Sequence, residues 1–171
     1  MQADSPVATT PANDADDHPD DARLASAHID YTRHSPGSFD HLLELSQGLH
    51  EGPLGATLVE LVSLRISQIN RCAFCLDMHA GLLRKRGESQ RKLDTIAAWR
   101  ESPAFDERER AALDWAETLN AIGNGPIPED ALGRALARFD PRELSDLTFV
   151  VASITAWNML NVGLRTPLPE A

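Results

Sequence analysis

The stretch DPRELSDLTFVVASITAWNMLNVGL, residues 140–164, constrains the fold more than any other part of the chain. Asp140 is placed to cap a helix, Pro141 suits its first turn, and Glu143 can reach back to the Asp140 backbone N–H. Neither glycine nor proline interrupts the run from Arg142 to Val162. The β-branched and aromatic cluster Thr148 to Val151 lies inside this capped segment and is read as helical. A second box, Asp106 with Glu109, opens another helix that runs to about Ile122 and closes at GNGP. A chain with two such starts and no credible hairpin pair is expected to be all-α.

The remaining segments fit that expectation. Residues 38–50 carry Phe39, Leu42, Leu43, Leu45 and Leu49 at helical spacing and stop at Gly52-Pro53. Residues 54–70 have a broad apolar face with Leu58, Leu61, Val62, Leu64 and Ile69. Residues 72–87 end in Lys85, Arg86 and Gly87, where cations meet the helix dipole and glycine takes the left-handed turn. Shorter helices are expected over 89–100 and 128–139, for six or seven in all. Aromatic residues make up only 5% of the chain, so the core must be built from Leu, Ala, Val and Ile, which suits helix-on-helix packing.

The 171 residues suffice for one domain, expected over 25–171. Residues 1–24 carry six aspartates and little to bury, so they read as a disordered acidic tail. That tail lacks the basic and apolar regions of a secretory signal, and no stretch approaches a membrane span, so a cytoplasmic protein with no membrane partner is expected. The formal net charge of −10 argues against nucleic acid as a partner, because phosphates need compensating Lys and Arg.

Both cysteines and one of the six histidines fall within CAFCLDMH, residues 72–79. On a helix, Cys72, Cys75 and His79 share one face, and the Cys75–His79 step spans a single turn. A neighbouring imidazole and a helix N-terminus both favour a thiolate, and a second thiol three residues away can trap a sulfenic acid as a disulfide. His79 is closer to Cys75, which makes Cys75 the attacking thiol and Cys72 the resolving one. The common behaviour of C-x-x-C pairs, in which the first cysteine is the more reactive, points the other way. A structural disulfide is the weakest reading, since so small a loop staples little. Two others stay open: zinc held by Cys72, Cys75, His79 and a carboxylate such as Asp77, although no further cysteine is present, and burial of all three residues without chemistry.

The run ATLVELVSLRISQINRCAFCLDMHAGLLRKRGES, followed by AAWRESPAFDERERAALDWAE, resembles the AhpD-like alkylhydroperoxidases of the carboxymuconolactone decarboxylase superfamily. Glu60 lies twelve residues before Cys72, and His79 four after Cys75. The resemblance is firmest over residues 54–120 and looser over DLTFVVASITAWNMLNVGLRTP. It implies an all-α fold assembled as trimers or hexamers. It also implies a peroxidase in which the second cysteine becomes a sulfenic acid and the first closes the disulfide. Glu60 would then join His79 in a proton relay, a role open to a buried carboxylate whose pKa rises. One position departs from the family pattern: Phe74 stands where a second relay histidine is found, which implies slower turnover or another substrate. Branches that decarboxylate a lactone lack the cysteine pair.

The expected function is thus a thiol peroxidase using Cys75, Cys72, His79 and Glu60, with no metal or haem. A lipoamide-type or thioredoxin-like dithiol would regenerate it. An apolar pocket inferred from Phe74, Leu76 and Leu61 would favour organic hydroperoxides. The alternatives are a disulfide oxidoreductase with a non-peroxide substrate and a zinc-binding helical assembly protein. His28, His34, His41 and His50 are expected at surfaces or helix ends, and Trp99, Trp115 and Trp157 in packing. Trp157-Asn158 is a candidate approach to the thiols, and Arg65 and Arg71 are candidates for surface salt bridges.

Overall fold

The computed structural model describes residues 28–168; the acidic tail expected over 1–24 lies outside them. Within that span the chain forms eight α-helices and no strand. They are α1 (Tyr31–His34), α2 (Pro36–Glu51), α3 (Ala56–Ile69), α4 (Ala73–Lys85), α5 (Gln90–Thr95), α6 (Glu107–Asn120), α7 (Ala131–Leu136) and α8 (Pro141–Gly163). Both capping boxes form as the sequence implies: Asp106 with Glu109, and Asp140 with Glu143. Two features differ from the expected set. The single turn α1, capped by Asp30, is an addition. The segment 89–100 is also shorter as an α-helix, since α5 gives way at Ile96 to a 3-10 turn. The tighter winding sets residues three apart over one another, and it buries Ile96 and Trp99 together.

The centre of the molecule is α3, which packs against α2, α4, α6 and α8. Its buried residues run all round the cylinder, from Leu58 to Ser67, with Leu61, Val62 and Ile66 fully enclosed. A helix that is apolar on every side belongs in a core, and burying each such side chain contributes roughly 1.5–3 kcal/mol before entropy is set against it. Ser63, Ser67 and Glu60 are the buried polar exceptions, and only Glu60 carries a charge. Glu60, a carboxylate, is as buried as the valines beside it.

The α3–α4 junction fixes the cysteines. Asn70 ends α3, and Arg71 follows in the left-handed region with φ of 57°. The Cys72 N–H then donates to Ser67 O at 3.0 Å and the Arg71 N–H to Gln68 O at 3.3 Å, the paired bonds of a Schellman ending. Cys72 is next used as the N-cap of α4, its sulfur accepting from the Cys75 N–H at 3.3 Å. Gly87, with φ of 87°, follows the end of α4 as expected of a left-handed glycine.

Candidate active site

Cys72 and Cys75 are joined as a disulfide, with Cα atoms 5.3 Å apart and only 1% of either residue exposed. The two sulfurs are not equivalent. Cys75 lines a cavity of about 510 Å³, whereas Cys72 does not. The cavity wall is mostly apolar, with Phe39, Leu43, Val59, Phe74, Met78, Leu82, Ile154 and Trp157 among its residues. Of the three residues expected to make it apolar, Phe74 is in the wall. Leu61 and Leu76 instead pack in and against the core.

Glu60 projects from α3 between two imidazoles. His79 Nδ1 donates to Glu60 Oε2 at 2.6 Å, and His50 Nε2 donates to Oε1 at 2.7 Å. All three residues line the same cavity as Cys75. Contrary to the rise expected for a buried carboxylate, the Glu60 pKa is lowered to about 2. Burial pushes it up, but the hydrogen bonds from His50 and His79 and their charge more than offset this. Glu60 is therefore ionised at neutral pH, with both of its oxygens held by the two rings.

His50 sits in the last turn of α2, the helix-end position that the sequence suggested, and it also reaches into the cavity. Its Nδ1 faces Ser46 O at 2.7 Å and its Nε2 faces the Glu60 carboxylate, so both nitrogens meet acceptors. Only the doubly protonated ring satisfies both. The bond to Glu60 accordingly holds the His50 pKa above its ordinary value, against the opposing effect of burial. His79 differs, because with Nδ1 committed to Glu60 its Nε2 is buried without a hydrogen-bond partner. An imidazole held by a carboxylate at one nitrogen and open at the other can accept or give a proton there.

A second set of polar contacts reaches the sulfur from α8. Asn161 Nδ2 lies 3.5 Å from Cys75 Sγ and also donates to Trp157 O at 3.0 Å, while Asn161 Oδ1 accepts from the Tyr31 hydroxyl at 3.1 Å. Asn158, the expected approach from this helix, points elsewhere and bonds Ser67 Oγ and Asn70 Nδ2. Trp157 does reach the cavity, with its Nε1 donating to Ser46 Oγ and its ring packed with Phe39 and Tyr31. Arg65 pairs with Glu117, away from the sulfurs.

Thus Cys75, His79 and Glu60 line one cavity together with His50, Asn161 and Tyr31, and Cys72 is bonded to Cys75 without lining it. Among the described residues no group of three or more His, Cys, Asp or Glu is arranged to hold a metal ion.

The profile of the carboxymuconolactone decarboxylase family matches residues 36–118. An uncharacterised protein of Bacillus subtilis (strain 168), YdfG, is 27% identical over 139 residues, spanning 81% of this chain and 95% of its own length. Among solved structures, a protein of unknown function from Agrobacterium tumefaciens, suggested to be the antioxidant-defence protein AhpD, superposes with a TM-score of 0.81 at 34% identity. That match covers 85% of this chain and all of the other. An uncharacterised peroxidase-related protein from Ralstonia eutropha JMP134, solved as an AhpD core, superposes with a TM-score of 0.71 at 19% identity. It covers 81% of this chain and 74% of its own, and at that identity it speaks for a shared fold alone.

Proposed function

Because the chain belongs to the carboxymuconolactone decarboxylase family and has the AhpD-like fold, we propose that it is a thiol peroxidase that cycles Cys72 and Cys75 between dithiol and disulfide. The observation that carries this reading is that one sulfur of the pair, Cys75, lines an apolar cavity together with His79, whose Nδ1 is held by the Glu60 carboxylate and whose Nε2 has no partner.

In the reduced enzyme, His79 Nε2 takes the Cys75 proton, and the ionised Glu60 stabilises the resulting imidazolium. The thiolate attacks the terminal oxygen of a hydroperoxide. The S–O bond forms as the O–O bond breaks, and the departing alkoxide takes the proton from His79 to leave as an alcohol. The Cys72 sulfur then attacks the sulfenic acid, the S–S bond forms, the S–O bond breaks and water leaves. Two thiols lose two hydrogens, and one hydroperoxide becomes an alcohol and water.

The apolar wall favours organic hydroperoxides over hydrogen peroxide, whose small polar body gains nothing from it. The two enclosed sulfurs favour a slender dithiol of the lipoamide type as reductant over a thioredoxin-like protein, which needs an exposed disulfide to engage. The cytoplasm, where such dithiols are kept reduced, is the compartment that suits the cycle; no helix among the described residues is long and apolar enough to cross a membrane. Assembly into a homo-oligomer is supported by the outer face of α8, where Phe149, Met159 and Val162 are 52%, 70% and 50% exposed.

The test is a thiol titration of reduced protein before and after one equivalent of cumene hydroperoxide, followed by intact mass. Loss of both thiols with a fall of two hydrogens and no added oxygen is expected. Cys75→Ser should consume no peroxide, and Cys72→Ser should stop at a sulfenic acid after one turnover. Retention of both thiols with peroxide untouched would remove the proposal.

A further inference from the structure

We infer that Asn161 is a catalytic residue that stabilises the Cys75 thiolate through its side-chain amide, and that Tyr31 is the positioning residue that holds this amide in place. The inference rests on the peroxidase reading for its purpose, and on the geometry of α1 and α8 for its content.

The direction of the Asn161 amide is fixed by its surroundings. Its nitrogen sits within hydrogen-bond reach of two groups, Trp157 O at 3.0 Å and Cys75 Sγ at 3.5 Å. A carbonyl oxygen only accepts, so the amide end facing it must be the NH₂. Turning the amide over would set two oxygens against each other. The second N–H is thereby left for the sulfur. At the other end, Oδ1 accepts from the Tyr31 hydroxyl at 3.1 Å. The Tyr31 pKa is raised, chiefly by burial, so the phenol keeps the proton it donates.

This arrangement also accounts for an otherwise costly residue. Asn161 is 5% exposed on a helix whose buried positions are mostly Leu, Val and Ile. An amide there is unfavourable unless its polar atoms are paired, and each polar atom of Asn161 is. Neutral donors aimed at an atom that becomes an anion favour the charged form, and burial strengthens the effect. The two sulfurs are thus served separately, with the Cys75 backbone N–H donating to Cys72 and the α8 amide to Cys75. Cys75 is the one exposed to the cavity, so it is the one whose ionisation matters first.

The experiment uses the full chain carrying Cys72→Ser, leaving Cys75 as its single thiol. Thiolate formation is followed by absorbance at 240 nm, and iodoacetamide alkylation is timed from pH 5 to 10. With Asn161→Leu, similar in size and apolar, the Cys75 pKa should rise and the alkylation rate at pH 7 should fall about tenfold. The rate should recover at high pH, where every thiol is ionised. Tyr31→Phe, which removes only the hydroxyl, should shift the profile the same way by about twofold to threefold. Profiles of both variants that overlay the parent would overturn the inference. So would an Asn161→Leu rate lowered equally at every pH, which would indicate access and not ionisation. Peroxide does not enter this measurement. A shifted profile in a protein that consumes no hydroperoxide would leave the Asn161 assignment standing while the peroxidase reading fell, and the reverse outcome would do the opposite.

Discussion

The Glu60 site and the outer face of α6 use the same kinds of groups to opposite effect. On α6, Asp114 pairs with Arg100 and with Arg134, which in turn reaches Asp130. These arginines are about half exposed, so water and salt compete with each pair and the pairs contribute little. At Glu60 the carboxylate is enclosed, and both of its oxygens are taken up by imidazoles. An enclosed charge is expensive to leave unpaired, so these bonds hold Glu60 ionised and keep the His50 pKa raised. Pairing on α6 decorates a surface. At Glu60 it sets which atoms carry protons. What separates the two is the shielding by the surrounding helices and not the number of pairs.

The comparison can be broken most forcefully at Glu60. Glu60→Gln leaves two imidazoles facing an amide, and we expect peroxide turnover to fall about 10²–10⁴-fold with the loss of the organised base. The urea midpoint should drop with it, corresponding to about 3 kcal/mol for a broken buried pair. Unchanged turnover would make Glu60 a structural residue only. Acid provides a milder test. A carboxylate whose folded pKa is about 2 contributes stability that is complete above its unfolded value, near 4.3, and is lost as pH falls toward 2. Acid unfolding of the parent should therefore steepen in that window, and the Glu60→Gln profile should be flatter there.

His50 sharpens the contrast from the basic side. Its raised pKa means that its contribution is complete below its unfolded value, near 6.5, and disappears as pH rises through the folded value. Thermal melts of the parent should lose stability across that range, and His50→Gln should remove the dependence. A parent curve flat from pH 6 to 9 would contradict the doubly protonated ring. The smallest effect belongs to the surface. Arg134→Ala should leave the urea midpoint unresolved from the parent in both low and high salt. A clear loss there would erase the distinction drawn between the two regions.

Much of this was legible in the sequence because it is local. The capping boxes at Asp106 and Asp140 are four-residue patterns, and the Cys75–His79 step is one helical turn. Glu60 was found by its spacing from Cys72 in a family pattern, not by its chemistry, for nothing in LVELV announces a buried acid. The helix-end position of His50 is legible, but its bond to Glu60 is not, because that partner lies beyond the Gly52-Pro53 turn and only the packing of α2 on α3 brings the two together. That contact supplies a second imidazole to Glu60. Asn161 stands 86 positions from Cys75, farther than any local pattern reaches. A signal did exist, an amide on the buried side of a mostly apolar capped helix. Asn158, also buried on α8, carries the same mark, and it serves Ser67 and Asn70 instead.

The double duty of Cys72 bears on how the centre should be probed. Its backbone closes α3 while its sulfur opens α4, so one residue rivets two rods end to end. Replacing it with alanine would delete the disulfide sulfur and loosen the rivet in the same stroke, and a loss of peroxide consumption would then be uninterpretable. Serine keeps an oxygen where the helix wants an acceptor, so the redox partner can be silenced while the joint stays shut.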